Sequence, residues 1–211
     1  METKMSLQTL QRLPGYLNLL KEKQKMGLVN VSAGAIAKEL GLGEIQVRKD
    51  LACVSCGGKP KIGYITTDLI SDIELALGYD KIDDAVLVGA GKLGRALLSY
   101  KGFQEYGLHI VAAFDSDESL CGTDESGKPI LPLDKMQDLC QRLRIRIGII
   151  TVPAAAAQKV CDILVASGVI AIWNFAPIHL KTPDGILVKN ENMAVSLAEL
   201  SKHLAESLTN K

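Results

Sequence analysis

The stretch Asp84-Ala-Val-Leu-Val-Gly-Ala-Gly-Lys-Leu-Gly-Arg95 joins a short apolar run to a glycine-rich turn and then to a helical pattern. Gly89, Gly91 and Gly94 have the G-x-G-x-x-G spacing that is typical of the turn between a strand and a helix in dinucleotide-binding folds. The first glycine allows a tight turn, the second lets a pyrophosphate approach the backbone, and the third lets the helix pack closely on the strand. The N–H groups at the start of the helix then face the phosphates. The stretch therefore predicts a Rossmann-like α/β domain around a nucleotide site.

A second strand is predicted at 109–114 and ends in Asp115, roughly 20 residues after the turn, where this fold places an acidic residue. A carboxylate at this position accepts hydrogen bonds from both hydroxyls of the adenosine ribose and repels a 2′-phosphate. The pattern therefore favours NAD(H) over NADP(H). The alternative is a Rossmann-like domain that binds no ligand, or one that binds another nucleotide such as coenzyme A.

Two further turns, Thr151–Pro153 and Asn174–Pro177, are predicted to line the nicotinamide side of the site. They follow strands predicted at 144–152 and 169–173, and in open parallel sheets ligands bind at the carboxyl ends of the strands. Plain βα turns are the alternative for both. The other elements predicted for this domain are a polar loop at 115–129, helices at 133–143 and 154–166, and an edge strand at 186–188.

Charge is unevenly distributed along the chain of 211 residues. Residues 1–65 carry ten Lys and Arg against five Asp and Glu, a net charge of +5, and because the whole chain has a net charge of zero, the remainder carries −5. A basic segment of this kind favours a polyanionic partner, with ordinary scatter as the alternative. The five cysteines lack the spacing of a disulfide framework, and no signal peptide or membrane-spanning run is recognisable. We therefore expect a cytoplasmic protein without a membrane partner.

The first fifty residues are predicted to be helical. Leucines spaced by three and four residues predict a helix over 6–25 that starts or kinks at Pro14. Ser32 and Gly41 are of the residue types that begin and end a helix, here over 33–40. A short turn leads into a helix at 44–53, and the last two helices form a helix-turn-helix, for which a plain helical hairpin is the alternative. The leucines of the first helix are Leu7, Leu10, Leu13, Leu17 and Leu20.

The second helix of this motif is the one that enters the major groove of DNA. Gln46, Arg48 and Lys49 supply donors that suit base edges and phosphates, so we expect these three side chains to bind DNA. The apolar positions between them are Ile45, Val47 and Leu51.

The segment 54–66 is rich in glycine and lysine and ends in a predicted strand at 64–66, a pattern typical of a wing. We expect Lys59 and Lys61 to contact DNA from this wing. A helix at 67–77, ended by Gly78, connects to the next domain.

Cys53 and Cys56 lie where the second helix meets the wing. They could form a thiol switch, and the alternative is that they are simply two small residues of a turn. No metal site is predicted, because a zinc site needs two more ligands and the three histidines lie in the other domain.

The last predicted helix covers 192–208 and carries an apolar stripe on one side. A terminal amphipathic helix must bury this face, either on its own domain or on a partner chain. The stripe consists of Ala194, Leu197, Leu200, His203 and Leu204.

Over nearly its whole length the chain resembles the Rex family of bacterial redox-sensing transcriptional repressors. The motifs that carry the resemblance are Gln46–Leu51, Gly63-Tyr64, Val88–Gly94, Phe114-Asp115, Thr151–Pro153 with Ala156–Lys159, and Asn174–Pro177. The resemblance implies a homodimer in which a winged helix-turn-helix domain (1–78) precedes a Rossmann-like NAD(H)-binding domain (79–190) and a domain-swapped C-terminal helix (191–211). It also implies that NADH releases operator DNA and that NAD⁺ competes and favours the DNA-bound form.

The resemblance implies a set of cofactor-binding residues. They are Gly89, Ala90, Gly91, Lys92, Leu93, Gly94, Tyr100, Asp115, Thr151, Val152, Pro153, Asn174, Phe175 and Met193.

The sequence departs from the family pattern at several positions. Asn18 and Asn192 stand where relatives often have an arginine and an aspartate, which are thought to form a state-dependent ion pair involving the tyrosine that matches Tyr100. An asparagine pair forms at best a neutral hydrogen bond, roughly half as strong, so we expect a weaker or differently built NADH switch. Met193 replaces an aromatic residue near the partner's nicotinamide. The wing sequence Lys59-Pro-Lys61 replaces a Lys-Arg-Gly sequence, and lysine fits a narrow minor groove less well than arginine.

Two other functions remain open at this point, an NAD-dependent oxidoreductase and a coenzyme A-binding module. An oxidoreductase needs an acid or base within reach of the substrate, and His179, after the last turn, is the one candidate. We expect no substrate domain after residue 190, and a winged helix has no use in a dehydrogenase. We therefore predict no catalytic residues and a protein that is not an enzyme.

Overall fold

The computed structural model describes residues 5–81 and 83–209, and the chain divides into two compact units after Lys81. We call them the amino-terminal and the carboxy-terminal unit. Among the residues described, no helix is both long and apolar enough to cross a membrane.

The amino-terminal unit is a helical domain with a two-stranded sheet. α1 packs against α4, and α2 against α3, while β1 and β2 pair antiparallel. Its core is formed mainly by side chains of α1 and α4, with Ile36, Val47 and Leu51 from the helices between them. The elements are α1 Leu7–Lys25, β1 Asn30–Val31, α2 Ala33–Leu40, α3 Glu44–Val54, β2 Tyr64–Ile65 and α4 Thr66–Leu77.

α1 begins before Pro14, which the sequence pattern gave as one possible start of the helix. The hydroxyl of Ser6 accepts a hydrogen bond from the Thr9 N–H, which caps the helix there, and α1 then continues through Pro14. The prediction of a start at Pro14 is therefore wrong. Leu7 and Leu10 of the leucine stripe are also exposed, and only its last three members are buried.

The wing is built on a glycine that no other residue could replace. Gly63 has a φ of 84°, and a Cβ on it would lie 2.3 Å from the carbonyl oxygen of Val31 in β1. Lys59 bridges to Gly63, so 59–63 form a tight turn before β2. The predicted strand at 64–66 is one residue shorter because Thr66 already starts α4, and β1 was not predicted.

The carboxy-terminal unit contains a seven-stranded sheet with the order β5-β6-β4-β3-β7-β8-β9, and only β5 runs antiparallel to its neighbour. α6 and α7 contribute to the core on one face of the sheet, and α5 to the core on the other face. The strands are β3 Asp83–Val88, β4 Leu108–Asp115, β5 Gly122–Thr123, β6 Pro129–Pro132, β7 Ile147–Ile150, β8 Ala171–Asn174 and β9 Leu187–Asn190. The helices are α5 Lys92–Ser99, α6 Met136–Leu143, α7 Ala154–Ala166 and α8 Met193–Thr209, with 3₁₀ turns at 101–106, 118–120 and 133–135.

Several predicted boundaries in this unit are wrong. The region 115–129 was expected to be a loop, yet it contains β5 and the first residue of β6. The strand predicted at 144–152 pairs only over 147–150, because Arg144 ends α6 in the left-handed conformation and the Ile145 N–H donates to the Cys140 carbonyl oxygen of that helix. The helix predicted at 133–143 opens with a 3₁₀ turn.

α8 buries none of its apolar side chains within the chain. Every residue from Met193 to Leu208 is exposed, which excludes that the stripe folds back onto its own sheet. Its large exposed apolar residues are Met193, Val195, Leu197, Leu200, Leu204 and Leu208.

Candidate nucleotide and nucleic-acid sites

The glycine-rich turn has the geometry of a phosphate cradle. Gly89 follows β3 with a φ of 104°, which favours glycine. A Cβ on Gly94 would lie 1.8 Å from the carbonyl oxygen of Gly89, so α5 approaches the turn as closely as only glycine permits. A Cβ on Gly91 would meet no atom within 4 Å, and the space beside this backbone is open. Open space at Gly91 is what a bound pyrophosphate requires, and Gly94 allows the close packing of α5.

The side chains of Thr151 and Arg95 fix the turn. The Thr151 hydroxyl faces the carbonyl oxygens of Gly89 at 2.8 Å and of Val88 at 3.0 Å. Arg95 donates from Nε to the carbonyl oxygen of Ala90 at 3.0 Å. Thr151, predicted to line the nicotinamide side of the site, thus also holds the turn. Arg95 was missed because its partner depends on the fold of the turn.

Asp115 ends β4 beside the turn. Its Oδ2 accepts a hydrogen bond from the Ala90 N–H at 2.6 Å, and its Oδ1 accepts one from the Asp117 N–H at 2.9 Å. A carboxylate has about four acceptor positions, so this half-buried group retains capacity for ribose hydroxyls. The structure therefore brings Asp115 next to the glycine-rich turn.

Asn174 has a structural task at the end of β8. Its side chain is fully buried, and Nδ2 faces the carbonyl oxygens of Ala176 and Ile178 and the Oδ1 of Asn190, at 2.8–3.1 Å. Its Oδ1 accepts a hydrogen bond from the Ala176 N–H. The amide is committed to the turn, so Asn174 can serve a ligand only through the backbone that it positions.

A row of four aromatic rings joins two of the predicted site residues. Tyr100 contacts Phe103, Phe103 contacts Trp173, and Trp173 contacts Phe175, with ring centroids 4.9, 5.7 and 5.0 Å apart. Trp173 also donates from Nε1 to Glu191 Oε1 at 3.0 Å. Tyr100 and Phe175 therefore lie at the two ends of the row. Phe103 and Trp173 were not predicted as parts of the site.

Each of the other predicted cofactor-binding residues lies beside the glycine-rich turn or at the beginning of a helix. Met193 is 72% exposed at the start of α8. The Oδ1 of Asn192 accepts a hydrogen bond from the Ala194 N–H at the start of α8, and Asn18 in α1 is exposed. Lys92 and Leu93 begin α5, Pro153 caps α7, and Val152 lies beside Gly89.

The exposed face of α3 carries the predicted DNA-binding cations. Arg48 and Lys49 are exposed, and Arg48 forms an ion pair with Glu44 one turn earlier. Of the apolar positions of α3, Val47 and Leu51 are buried, whereas Ile45 is 73% exposed. Residues two apart lie on different sides of a helix, so Ile45 does not share the buried side of Val47.

A buried polar cluster joins α1 to α3. Asp50 is 1% exposed and accepts hydrogen bonds from the hydroxyls of Thr9 and Tyr16, at 3.0 and 2.7 Å, and from Nε and Nη2 of Arg12, at 2.7 and 2.9 Å. Gln46 Nε2 also donates to Asp50 Oδ1, at 3.0 Å. We call these five residues the Asp50 cluster. Gln46, predicted to bind DNA, is exposed, and its amide nitrogen is hydrogen-bonded to Asp50.

The Asp50 cluster shifts the pKa values of its members. Burial raises the pKa of Asp50, but hydrogen bonds from Arg12, Tyr16, Gln46 and Thr9 outweigh it and lower the pKa from 3.8 to about 2. Burial, together with the Asp50 carboxylate, raises the pKa of Tyr16 to about 12. Asp50 is thus ionised and Tyr16 is neutral across the physiological pH range.

The wing presents Lys59 and Lys61 to solvent, and Lys61 has a φ of 65° in the turn. Cys53 and Cys56 are exposed free thiols, and Cys53 donates from Sγ to the Lys49 carbonyl oxygen at 3.3 Å. In the part of the chain that the structure describes, no three His, Cys, Asp or Glu side chains are grouped as metal ligands.

Family models match both units. Residues 4–52 match the family described as "Putative DNA-binding protein N-terminus", and residues 80–178 match the family described as "CoA binding domain".

Several curated proteins named redox-sensing transcriptional repressor Rex are similar to the chain. The one from Treponema denticola is 41% identical over 192 residues, which cover 91% of this chain and 91% of the relative. The one from Bacteroides fragilis is 40% identical over 202 residues, covering 96% and 92%. The one from Syntrophomonas wolfei is 42% identical over 197 residues, covering 93% and 94%.

Solved structures agree with these similarities. A crystal structure of RSP in complex with β-NAD⁺ and operator DNA has a TM-score of 0.89 at 32% identity, and the match covers 98% of this chain and 95% of that one. RSP in complex with β-NADH has a TM-score of 0.85 at 31% identity, covering 98% and 97%.

Proposed function

Because this chain belongs to the Rex family of redox-sensing transcriptional repressors, we propose that it represses transcription by binding operator DNA and that NADH and NAD⁺ set its affinity for that DNA. One observation carries the proposal. A single chain combines a phosphate cradle, with open space at Gly91, and a winged helix whose α3 exposes Arg48 and Lys49. A dehydrogenase has no need of the second feature, and a constitutive repressor has no need of the first.

The nucleotide binds in the carboxy-terminal unit. The turn Gly89–Gly94 and the first N–H groups of α5 hold the pyrophosphate. Asp115 accepts hydrogen bonds from the adenosine ribose, which favours NAD(H) over NADP(H). The turns after β7 and β8, at 151–153 and 174–175, line the nicotinamide side, as expected for the carboxyl ends of parallel strands.

The response requires that NADH and NAD⁺ bind the DNA-competent and DNA-released states unequally. A ligand that binds both states equally shifts nothing, however tightly it binds. The coupling is reciprocal, so operator DNA must weaken NADH binding by the factor by which NADH weakens DNA binding. The site holds the nucleotide as a signal and turns nothing over, so the protein is not an enzyme.

The repressor acts as a homodimer in the cytoplasm. The support is α8, whose apolar stripe is exposed along its whole described length and needs a second surface. We assign that surface to the carboxy-terminal unit of a second copy, so that α8 is exchanged between protomers. Met193 then reaches the partner's nucleotide site, which its exposure here allows.

A DNA-binding titration tests the function. A duplex is first selected from a random-sequence pool by the protein itself, and binding to it is then followed by fluorescence anisotropy at a fixed salt concentration. NADH should weaken binding by a factor of about 5–150, the usual range of such coupling, and NAD⁺ should reverse the effect. NADPH and coenzyme A serve as controls. A coenzyme A effect larger than that of NADH, or no nucleotide effect, would contradict the proposal.

Asp115→Arg should weaken NADH binding by about tenfold or more and favour NADPH over NADH, because the carboxylate that accepts the ribose hydroxyls is replaced by a cation that pairs with a 2′-phosphate. Isothermal titration of the variant with both nucleotides measures the preference. Asp117→Asn, an exposed change two residues away, is the matched control and should leave both affinities unchanged. Unaltered selectivity in the Asp115 variant would remove the ribose role of Asp115.

A further inference from the structure

Ile45 is exposed on the stripe of α3 that presents the cations. Arg48, Lys49 and Ala52 lie three, four and seven positions after Ile45, so the four side chains share one face of the helix, and all four are exposed. The opposite side, with Val47, Asp50 and Leu51, is buried. Ile45 is thus an exposed apolar residue at the start of the stripe that carries Arg48 and Lys49.

The side chain of Ile45 is not part of the described core of the amino-terminal unit. It lies in the first turn of α3, two positions after the N-cap Gly43, where a β-branched side chain brings no helical advantage. Its exposed fraction of 73% means that most of its apolar surface faces water.

The polar neighbours of Ile45 are partly committed elsewhere. Gln46 donates to the buried Asp50, and Arg48 is paired with Glu44. In helix-turn-helix proteins the first residues of the second helix are those that reach base edges. Ile45 occupies such a position, and thymine is the base that presents a methyl group in the major groove.

We infer that Ile45 is a specificity-determining residue that recognises thymine through its 5-methyl group. The inference rests on the proposed function, since it needs α3 to lie in the major groove. Contact between the isoleucine side chain and the methyl group removes both from water, which is worth about fourfold in affinity per methyl group. An isoleucine has no hydrogen-bonding group with which to recognise another base.

Replacing thymine by deoxyuridine tests this assignment, because the exchange removes only the 5-methyl group. Each thymine of a duplex selected by the wild-type protein is replaced in turn, and the affinities of wild-type protein, Ile45→Ala and Ile45→Val are measured for every duplex. At one thymine per half-site, the exchange should weaken binding of the wild-type protein about fourfold. The same exchange should have no effect on Ile45→Ala, and Ile45→Val should keep part of the discrimination.

Met26→Ala is the matched control, since Met26 is an exposed apolar residue of the same unit at the end of α1. It should retain the full sensitivity to deoxyuridine. If deoxyuridine weakens wild-type protein and Ile45→Ala equally at every position, or if the selected duplex has no thymine that matters, the assignment to Ile45 is wrong although DNA binding stands. If the protein selects no duplex at all, the proposed function itself is wrong.

Discussion

Arg12→Ala should lower the free energy of unfolding of the amino-terminal unit by about 3–5 kcal/mol, because it leaves the Asp50 carboxylate buried without its cation. Asp50 is 1% exposed, and Arg12 contacts both of its oxygens. Thr9, Tyr16 and Gln46 still donate to Asp50 in the variant, but none of them supplies a positive charge. A loss of this size is a large part of the stability of a small domain, so operator binding should fall with it.

In the full chain, unfolding of the two units can be followed by two different signals. Its single tryptophan, Trp173, lies in the carboxy-terminal unit, so tryptophan fluorescence follows that unit, whereas far-ultraviolet circular dichroism follows the helices of both. In Arg12→Ala the dichroism should change at lower denaturant concentration than the fluorescence. Arg48→Ala removes an exposed ion pair and is the matched control, with an expected cost below about 1 kcal/mol. Equal costs for the two variants would contradict the importance of the buried cluster.

The same cluster sets the acid stability of the wild-type unit. The pKa of Asp50 is about 2 in the folded protein and 3.8 as an ordinary aspartate, so the carboxylate contributes stability that is fully present above about pH 4. This contribution is lost as the pH falls from about 4 toward 2, because the unfolded chain then binds the proton more readily. Asp50→Asn should lack this part of the pH dependence. Thermal unfolding followed by dichroism across this pH range measures it.

Gly91→Val should reduce NADH affinity on the order of a hundredfold, about 3 kcal/mol, while the fold stays intact. The backbone of Gly91 has a φ of −68° and a ψ of −170°, which any residue adopts, and a Cβ there meets no protein atom within 4 Å. The added side chain therefore fills the space through which the pyrophosphate reaches the backbone. Titration with NADH measures the affinity, and the melting temperature without nucleotide reports on the fold.

Substitutions at two other glycines serve as comparisons for Gly91→Val. Gly94→Ala should lower both the melting temperature and the NADH affinity, because its Cβ would lie 1.8 Å from the Gly89 carbonyl oxygen. Gly15→Ala, in the middle of α1 with no atom within 4 Å of the new Cβ, should leave NADH binding unchanged. Normal NADH affinity in a folded Gly91→Val protein would exclude the glycine-rich turn as the phosphate site.

What the sequence predicted well depends on neighbours along the chain. Gly41 and Gly78 end helices in the left-handed conformation, and Ser32 caps α2 through its side chain, as their residue types and positions predicted. The spacing of Gly89 and Gly94 follows the same rule in part, because a Cβ on Gly94 would lie 1.8 Å from the carbonyl oxygen of Gly89, five residues earlier. Local spacing along the sequence therefore predicted most of the helices and strands and the centre of the nucleotide site.

What the sequence missed depends on contacts between distant residues. Thr9 and Asp50 are 41 positions apart, and no spacing rule pairs them before α1 and α3 are packed together. β5 has only two residues, and its pairing with β6 defines it as a strand. Asn174 was predicted as a cofactor-binding residue. The sequence cannot show that its side-chain amide is already hydrogen-bonded to Ala176, Ile178 and Asn190.

The division of α3 into two sides bears on how operators and repressors diverge. The side that holds α3 to α1 contains Val47, Asp50 and Leu51, whereas the outward stripe 45, 48, 49 and 52 makes no contribution to the core. Substitutions in that stripe have little effect on the free energy of unfolding. The sequence of the stripe can therefore change together with the promoters that the protein recognises. A lineage can therefore acquire a new set of target genes through a few outward replacements, while the nucleotide response is inherited unchanged.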